Sequence, residues 1–296
     1  METLWQSLGA RPPREITQEA FDFDRGHLIR LTELRPGERP QARDLWDYTQ
    51  DLRHAREIQT LLLIYVLPFC LHAWREDLCG VSDEYGGFVE HFYPALADRK
   101  IFESQLNSKQ TTAVSEFMRR TILEEIDNQR GLSFSGAKAR PYRWVRALTT
   151  YGVLRPDMDI LWKLWWSLET VGRATAAMQY ISCLMYSEYD NPIFAPWTGD
   201  SGGGPPCLWE FEGHLYEHHW SEPNVAFLRE FLNVGRVSDV LTQAVTILAG
   251  QPEQDMAAAI RDDLPLCAAI LRTRCAELPA LLGTKQAAGT LLTWTK

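Results

Sequence analysis

The stretch that decides the fold class is Ser108–Asn128, "SKQTTAVSEFMRRTILEEIDN". Its apolar residues recur three or four positions apart, a spacing that places them on one face of an α-helix. Asn107 and Gln110 are spaced to cap the first turn, and Gly131 follows the last one. The stretch therefore predicts a long amphipathic helix. Its inward stripe consists of Val114, Phe117, Met118, Ile122 and Ile126.

The same periodicity extends along most of the chain, and alternating β-type runs bounded by hairpin turns are missing. Further helices are predicted over Leu45–Val66, over Met158–Met185, from Ser221 onward, over Ser238–Ala249 and over Leu264–Leu278. Pro68 should end or kink the first of these, because proline lacks an amide donor. The sequence predicts an all-α fold of about ten to twelve helices, packed as an irregular bundle or a short helical pseudo-repeat.

The chain of 296 residues is predicted to be a single helical domain, 1–296. The loop-like stretch Asn128–Pro141 concentrates residues that favour turns and would divide it into sub-units 41–135 and 141–296. A second such stretch covers Glu188–Cys207. A short echo, "FVEHFY" from Phe88 and "FEGHLY" from Phe211, would indicate a duplicated helical unit if it reflects a true repeat.

Charge and hydropathy exclude several classes of function. The formal net charge of −9 argues against a dedicated nucleic-acid binder, because phosphate binding needs a basic surface. The most apolar run, Leu61–Leu71, is too short to span a bilayer. The six cysteines form no C-x-x-C pair, and "METLWQSLGARPPRE" at the start resembles no secretory signal. We therefore expect reduced and mostly buried thiols, no membrane association and a cytoplasmic location.

The stretch "GDSGGGPP" from Gly199 contains the letters that surround the serine of trypsin-like proteases. In those enzymes a separate histidine takes the serine proton, and the fold is a pair of β-barrels. His72 is the nearest candidate, and it follows a helical run instead of lying on a barrel loop. We interpret Ser201 as a loop residue.

The stretch "HLYEH" fits the pattern H-x-x-E-H and is the best candidate for catalysis. On a helix, His214 and His218 would lie one turn apart and could share a zinc ion. Glu217 would then activate a zinc-bound water as general base, as in the inverted zinc peptidases that the motif resembles. Those enzymes need an acidic third ligand. Glu253 or Glu277 could supply it, and the spacing of these residues from the motif favours neither.

Two further features could bind a partner or belong to the core. Arg140, Arg143, Trp144 and Arg146 combine cations with an aromatic ring, which could grip a phosphate chain or an acidic protein surface. The alternative is a solvated helix start with its rings packed inward. The tryptophans of "LWKLWWSLE" likewise indicate either a helix buried at the centre of a bundle or a partly exposed anchor for a partner.

"LPFCLHAW" (Leu67–Trp74) and "LNSKQTTAVSEFM" (Leu106–Met118) together resemble a pattern in uncharacterised bacterial helical proteins. That pattern is an aromatic-rich Leu-Pro helix followed by Leu-Thr-x-x-Gln-x-x-Ala-Val-x-x-Phe-Leu. Here Ser108 replaces the threonine and Met118 the final leucine. Some such proteins are thought to lie near toxin genes, so the resemblance implies an immunity or accessory role.

The leading hypothesis is a non-catalytic cytoplasmic protein that binds another macromolecule, with an immunity-type inhibitor as one form of it. The acidic charge would suit a basic protein partner. No cofactor is expected in this case. The alternative is a zinc-dependent hydrolase that uses His214, Glu217 and His218, and a third possibility is a small-molecule binder with a tryptophan-lined pocket.

Overall fold

A computed structural model describes residues 2–21, 24–35, 38–81, 88–133, 141–186, 191–193 and 218–284. These residues form fourteen helices and no strand, which confirms the predicted all-α class. None of these helices combines the length and apolar character needed to cross a bilayer. The contacts divide the chain into two compact units, unit 1 (Met1–Thr121) and unit 2 (Ile122–Lys296), with the boundary inside the seventh helix.

The first seven helices are α1 (Glu2–Leu8), α2 (Gly26–Thr32), α3 (Ala42–His54), α4 (Thr60–Leu78), α5 (Phe88–Asp98), α6 (Ile101–Ser104) and α7 (Ser108–Asp127). In unit 1, α3 packs against α2 and α5, while α4 packs against α1, α3 and α5. The helix predicted from the opening stretch is present as α7. Asn107 and Gln110 cap its start reciprocally, each amide donating to the side-chain oxygen of the other residue at 3.0 Å.

In the first half of the chain, the structure differs from the sequence-based prediction in two ways, and both concern helix α4. The helix predicted over Leu45–Val66 is in fact two, α3 and α4, separated at Ala55–Gln59. Pro68 does not end a helix but lies buried inside α4, which continues for ten residues to Leu78. Tertiary packing therefore overrides the local penalty of proline in a helix interior.

The remaining helices are α8 (Pro141–Leu154), α9 (Met158–Trp165), α10 (Val171–Met185), α11 (Glu222–Phe231), α12 (Val234–Ile247), α13 (Gln254–Asp262) and α14 (Leu264–Leu282). In unit 2, α10 packs against α8, α12, α13 and α14 and is buried over nearly its whole length. The single helix predicted over Met158–Met185 is divided into α9 and α10. Leu168 between them has a left-handed φ of 55°, and the Thr170 side chain caps α10 by accepting from the Arg173 amide.

Candidate functional site

The structure describes one residue of the predicted zinc motif. His218 is half-buried, whereas His214 and Glu217 lie outside the described residues, as does Ser201. Within the described ranges, no three His, Cys, Asp or Glu side chains are grouped so that they could hold a metal ion. The zinc site therefore stays a prediction.

The two acidic residues considered as a third zinc ligand lie in different environments. Glu253 is only 4% exposed, and its Oε1 accepts a hydrogen bond from the Gly131 amide at 2.6 Å. The carbonyl of Gly131 in turn accepts from Gln179 Nε2 at 3.1 Å. Glu253 and Gln179 thus hold the turn that follows α7. Glu277, by contrast, is exposed on α14.

The basic and aromatic residues at the start of α8 do not share one surface. Trp144 is fully buried, its indole donates to Gln179 Oε1 at 3.3 Å, and its ring lies 5.0 Å from that of Trp165. Arg143 is exposed and Arg146 half-buried, while Arg140 lies outside the described residues. The ring at position 144 therefore belongs to the core. A binding role stays a prediction for the arginines alone.

The tryptophans of α9 form the aromatic core of unit 2. Trp162, Trp165 and Trp166 are at most 1% exposed, and the ring centres of Trp162 and Trp165 lie 5.5 Å apart. The helix is not buried on all sides, because Ile160 and Leu164 are 43% and 41% exposed. The tryptophans are thus core residues and do not form an exposed anchor for a partner protein.

A buried polar cluster in unit 1 was not predicted from the sequence. His27 Nε2 lies 2.6 Å from Asp51 Oδ2, and the other carboxylate oxygen accepts from the Phe21 amide at 2.7 Å. Burial raises the pKa of the Cys70 thiol, and burial together with the nearby Cys70 and Asp51 raises the pKa of Tyr48 well above its ordinary value. A nucleophile needs a lowered pKa, so we assign this cluster a structural role.

The outward face of helix α14 carries exposed apolar side chains beside the charged residues Arg272 and Glu277. The inward stripe of α14 packs into unit 2 and consists of Cys267, Leu271, Cys275, Leu278 and Leu282. Its outward face carries Leu266, which is 83% exposed, and Ile270, which is 43% exposed. We call this face the α14 stripe. It consists of Leu266, Ala269, Ile270, Thr273, Ala276 and Ala280.

Helix α12 shows what an ordinary outward face looks like in the same unit. Its exposed positions are polar or glycine, as expected for a helix that meets water: Gly235, Arg236, Asp239, Thr242, Gln243 and Thr246. The α14 stripe, with Leu266 83% exposed, is therefore the strongest candidate for a partner-binding surface among the residues that the structure describes.

A second apolar surface lies where α9 meets α11, and cations cover part of it. The Lys163 ammonium is 5.5 Å from the centre of the Phe227 ring, and the Arg236 guanidinium is 5.0 Å from that of Phe231. Both cations are within the range of a cation–π contact. Both rings already have a cation partner within the chain, so this surface is a weaker candidate for binding a partner protein than the α14 stripe.

Comparisons with known proteins add no family to this description. No protein-family model, curated protein or solved structure matches the chain.

Proposed function

We propose that this chain acts by binding a protein partner and not by catalysis. The observation that supports the proposal best is the α14 stripe, an outward helix face with Leu266 83% exposed. Exposed apolar residues that are contiguous along one element are typical of protein interfaces. Burial raises the pKa of the Cys70 thiol, which disfavours a nucleophilic role for this residue.

The partner's charge follows from the charge of this chain. A net charge of −9 favours association with a basic protein and disfavours nucleic acid and anionic lipid. A basic toxin held by an immunity-type inhibitor in the cytoplasm would fit this requirement, and it is the form of the hypothesis that the sequence resemblance implies.

The proposal is tested by comparative affinity capture from a lysate of the source cells. Wild-type protein, Leu266→Glu and a control, Leu61→Glu, serve as baits. Leu61 is 65% exposed on α4 and lies outside the α14 stripe, so the control introduces the same charge on an exposed leucine elsewhere. We expect one stoichiometric protein with wild type and the control, and its loss with Leu266→Glu. Recovery of the same proteins by all three baits would contradict the proposal.

A further inference from the structure

We propose that residues 15–21 form a strap that opens as a unit while the helices of unit 1 stay folded, a conformational device that goes beyond the proposed function. The strap lies between α1 and α2 in sequence and contains neither helix nor strand. Side chains from α3 and from the connection between α3 and α4 hold it closed. Three features of the strap support the proposal: its hydrogen bonds, its small buried surface and a buried polar atom without a partner.

Gln59, in the connection between α3 and α4, is the first latch of the strap. Its Oε1 accepts from the amides of Thr17 at 2.9 Å and Gln18 at 3.3 Å. Its Nε2 donates to the carbonyl of Glu15 at 2.7 Å. The Gln59 amide donates in turn to Gln18 Oε1 at 3.3 Å. A single half-buried side chain therefore binds three backbone groups of the strap.

Asp51 on α3 is the second latch. Its Oδ1 accepts from the Phe21 amide at 2.7 Å, while its Oδ2 lies 2.6 Å from His27 Nε2. A longer contact on the surface joins the Arg25 guanidinium to the carbonyl of Ile16 at 3.3 Å. All residues of the strap are described, and none of them makes a backbone–backbone hydrogen bond. The closed position therefore depends on side chains, and opening gives water access to the buried Asp51 carboxylate.

Little apolar burial opposes the opening of the strap. Its buried residues are Gln18 and Ala20, at 2% and 6% exposure, whereas the ring of Phe21 is 59% exposed. Gln18 Nε2 is buried without a hydrogen-bond partner, which destabilises the closed position because water would bind this donor in the open one. Segments with few buried apolar contacts open locally at a lower free energy than the surrounding helices.

Hydrogen–deuterium exchange of the full chain, resolved to single amides, tests the proposal. In wild type we expect the amides of Thr17, Gln18 and Phe21 to exchange at least about tenfold faster than hydrogen-bonded amides in the middle of α3 and α4, after correction for intrinsic rates. Gln59→Ala should accelerate all three strap amides about tenfold or more and leave the helix amides unchanged. Phe21 is the decisive amide, because it is bonded to Asp51 and not to Gln59.

Gln105→Ala is the matched control at the start of α4. Gln105 Oε1 accepts from Thr60 Oγ1 at 2.7 Å, and Gln105 has no hydrogen bond to the strap, so this variant should exchange like wild type. Acceleration by Gln59→Ala at Thr17 and Gln18 but not at Phe21 would overturn the proposal, because the contacts would then open independently.

Two further outcomes would also overturn the proposal. In Gln59→Ala, equal acceleration of the strap and of α3 and α4 would show that they open together. In wild type, strap amides that exchange as slowly as those of α3 and α4 would show that the strap opens only when unit 1 unfolds. The wild-type comparison does not depend on the stability of any variant.

Discussion

The side chain of Asn224 is fully buried and binds three backbone groups at the connection between α8 and α9. Its Oδ1 accepts from the Met158 amide at 3.1 Å, and its Nδ2 donates to the carbonyls of Gly152 and Arg155 at 2.8 and 2.6 Å. One residue of α11 thus supplies hydrogen-bond partners to backbone groups at the end of α8 and at the start of α9. Buried backbone groups that lose such a partner are costly, because water cannot replace it.

We expect Asn224→Ala to lower the free energy of unfolding by about 3 kcal/mol, because three buried backbone groups lose their partner. Urea denaturation followed by circular dichroism measures the change. The same substitution at the exposed Asn128 is the control and should change stability by less than about 0.5 kcal/mol. Equal stabilities of the two variants would contradict the role assigned to Asn224.

His72 on α4 predicts a dependence of stability on pH. Burial, followed by nearby positive charges that include Arg75 and Arg39, lowers its pKa from 6.5 to about 4. Between these two values the unfolded chain binds a proton that the folded chain does not. His72 therefore destabilises the fold progressively as the pH falls from 6.5 to about 4.

His72→Leu should remove this part of the acid sensitivity. After allowance for the partial exposure of the ring, we expect the loss of stability between pH 7 and pH 4 to be about 1–2 kcal/mol smaller than in wild type. Urea denaturation across that pH range gives the difference. Parallel stability profiles for the two proteins would show that His72 does not titrate in the folded state as described.

At the scale of helices, close packing decides features that periodicity leaves open. A Cβ atom built on Gly172 would lie 1.9 Å from the carbonyl oxygen of Asp127, so the first turn of α10 touches the end of α7 directly. The side chain of Asp127 strengthens the same contact by accepting from Thr170 at 2.6 Å and from Arg173 at 2.9 Å. A glycine in a helix is usually unfavourable, and here the close approach explains it.

We expect Gly172→Ala to destabilise unit 2 by at least about 2 kcal/mol, since backbone must move to admit the methyl group. Gly235→Ala is the matched control in α12. Its Cβ meets only the side chain of Asn233 at 3.4 Å, so this change should stabilise the helix by about 0.5–1 kcal/mol. Thermal unfolding of both variants tests the opposite signs, and the same sign for both would refute the packing argument.

Helix ends were predictable where the cap is local. The reciprocal cap of Asn107 and Gln110 was read correctly from spacing. The helix start predicted at Ser238 was wrong, because α12 begins four residues earlier, at Val234, and the Asn233 side chain accepts from the Arg236 amide. Both residues are good caps, and the choice between them depends on how α12 packs against α10.

At the scale of the whole molecule, the partner-binding proposal and the zinc alternative differ in metal content. We expect purified protein to contain zinc well below one ion per chain, with no change in His214→Ala. Mass spectrometry of elements after exhaustive dialysis gives the ratio. One zinc per chain that is lost in His214→Ala would instead support the hydrolase.

The sequence alone determined the helical class and the amphipathic stripe of α7, because each follows from residue spacing along one helix. It left open whether the tryptophans of Leu161–Glu169 are buried or partly exposed. It also indicated buried free thiols, and four of the five described cysteines are buried. Only the tertiary structure decided that Pro68 lies inside a helix, that Trp144 faces the core and that Leu266 faces outward. These features depend on which neighbouring helix covers a given face. An α-helix with apolar residues on two sides has no local feature that identifies the side left uncovered.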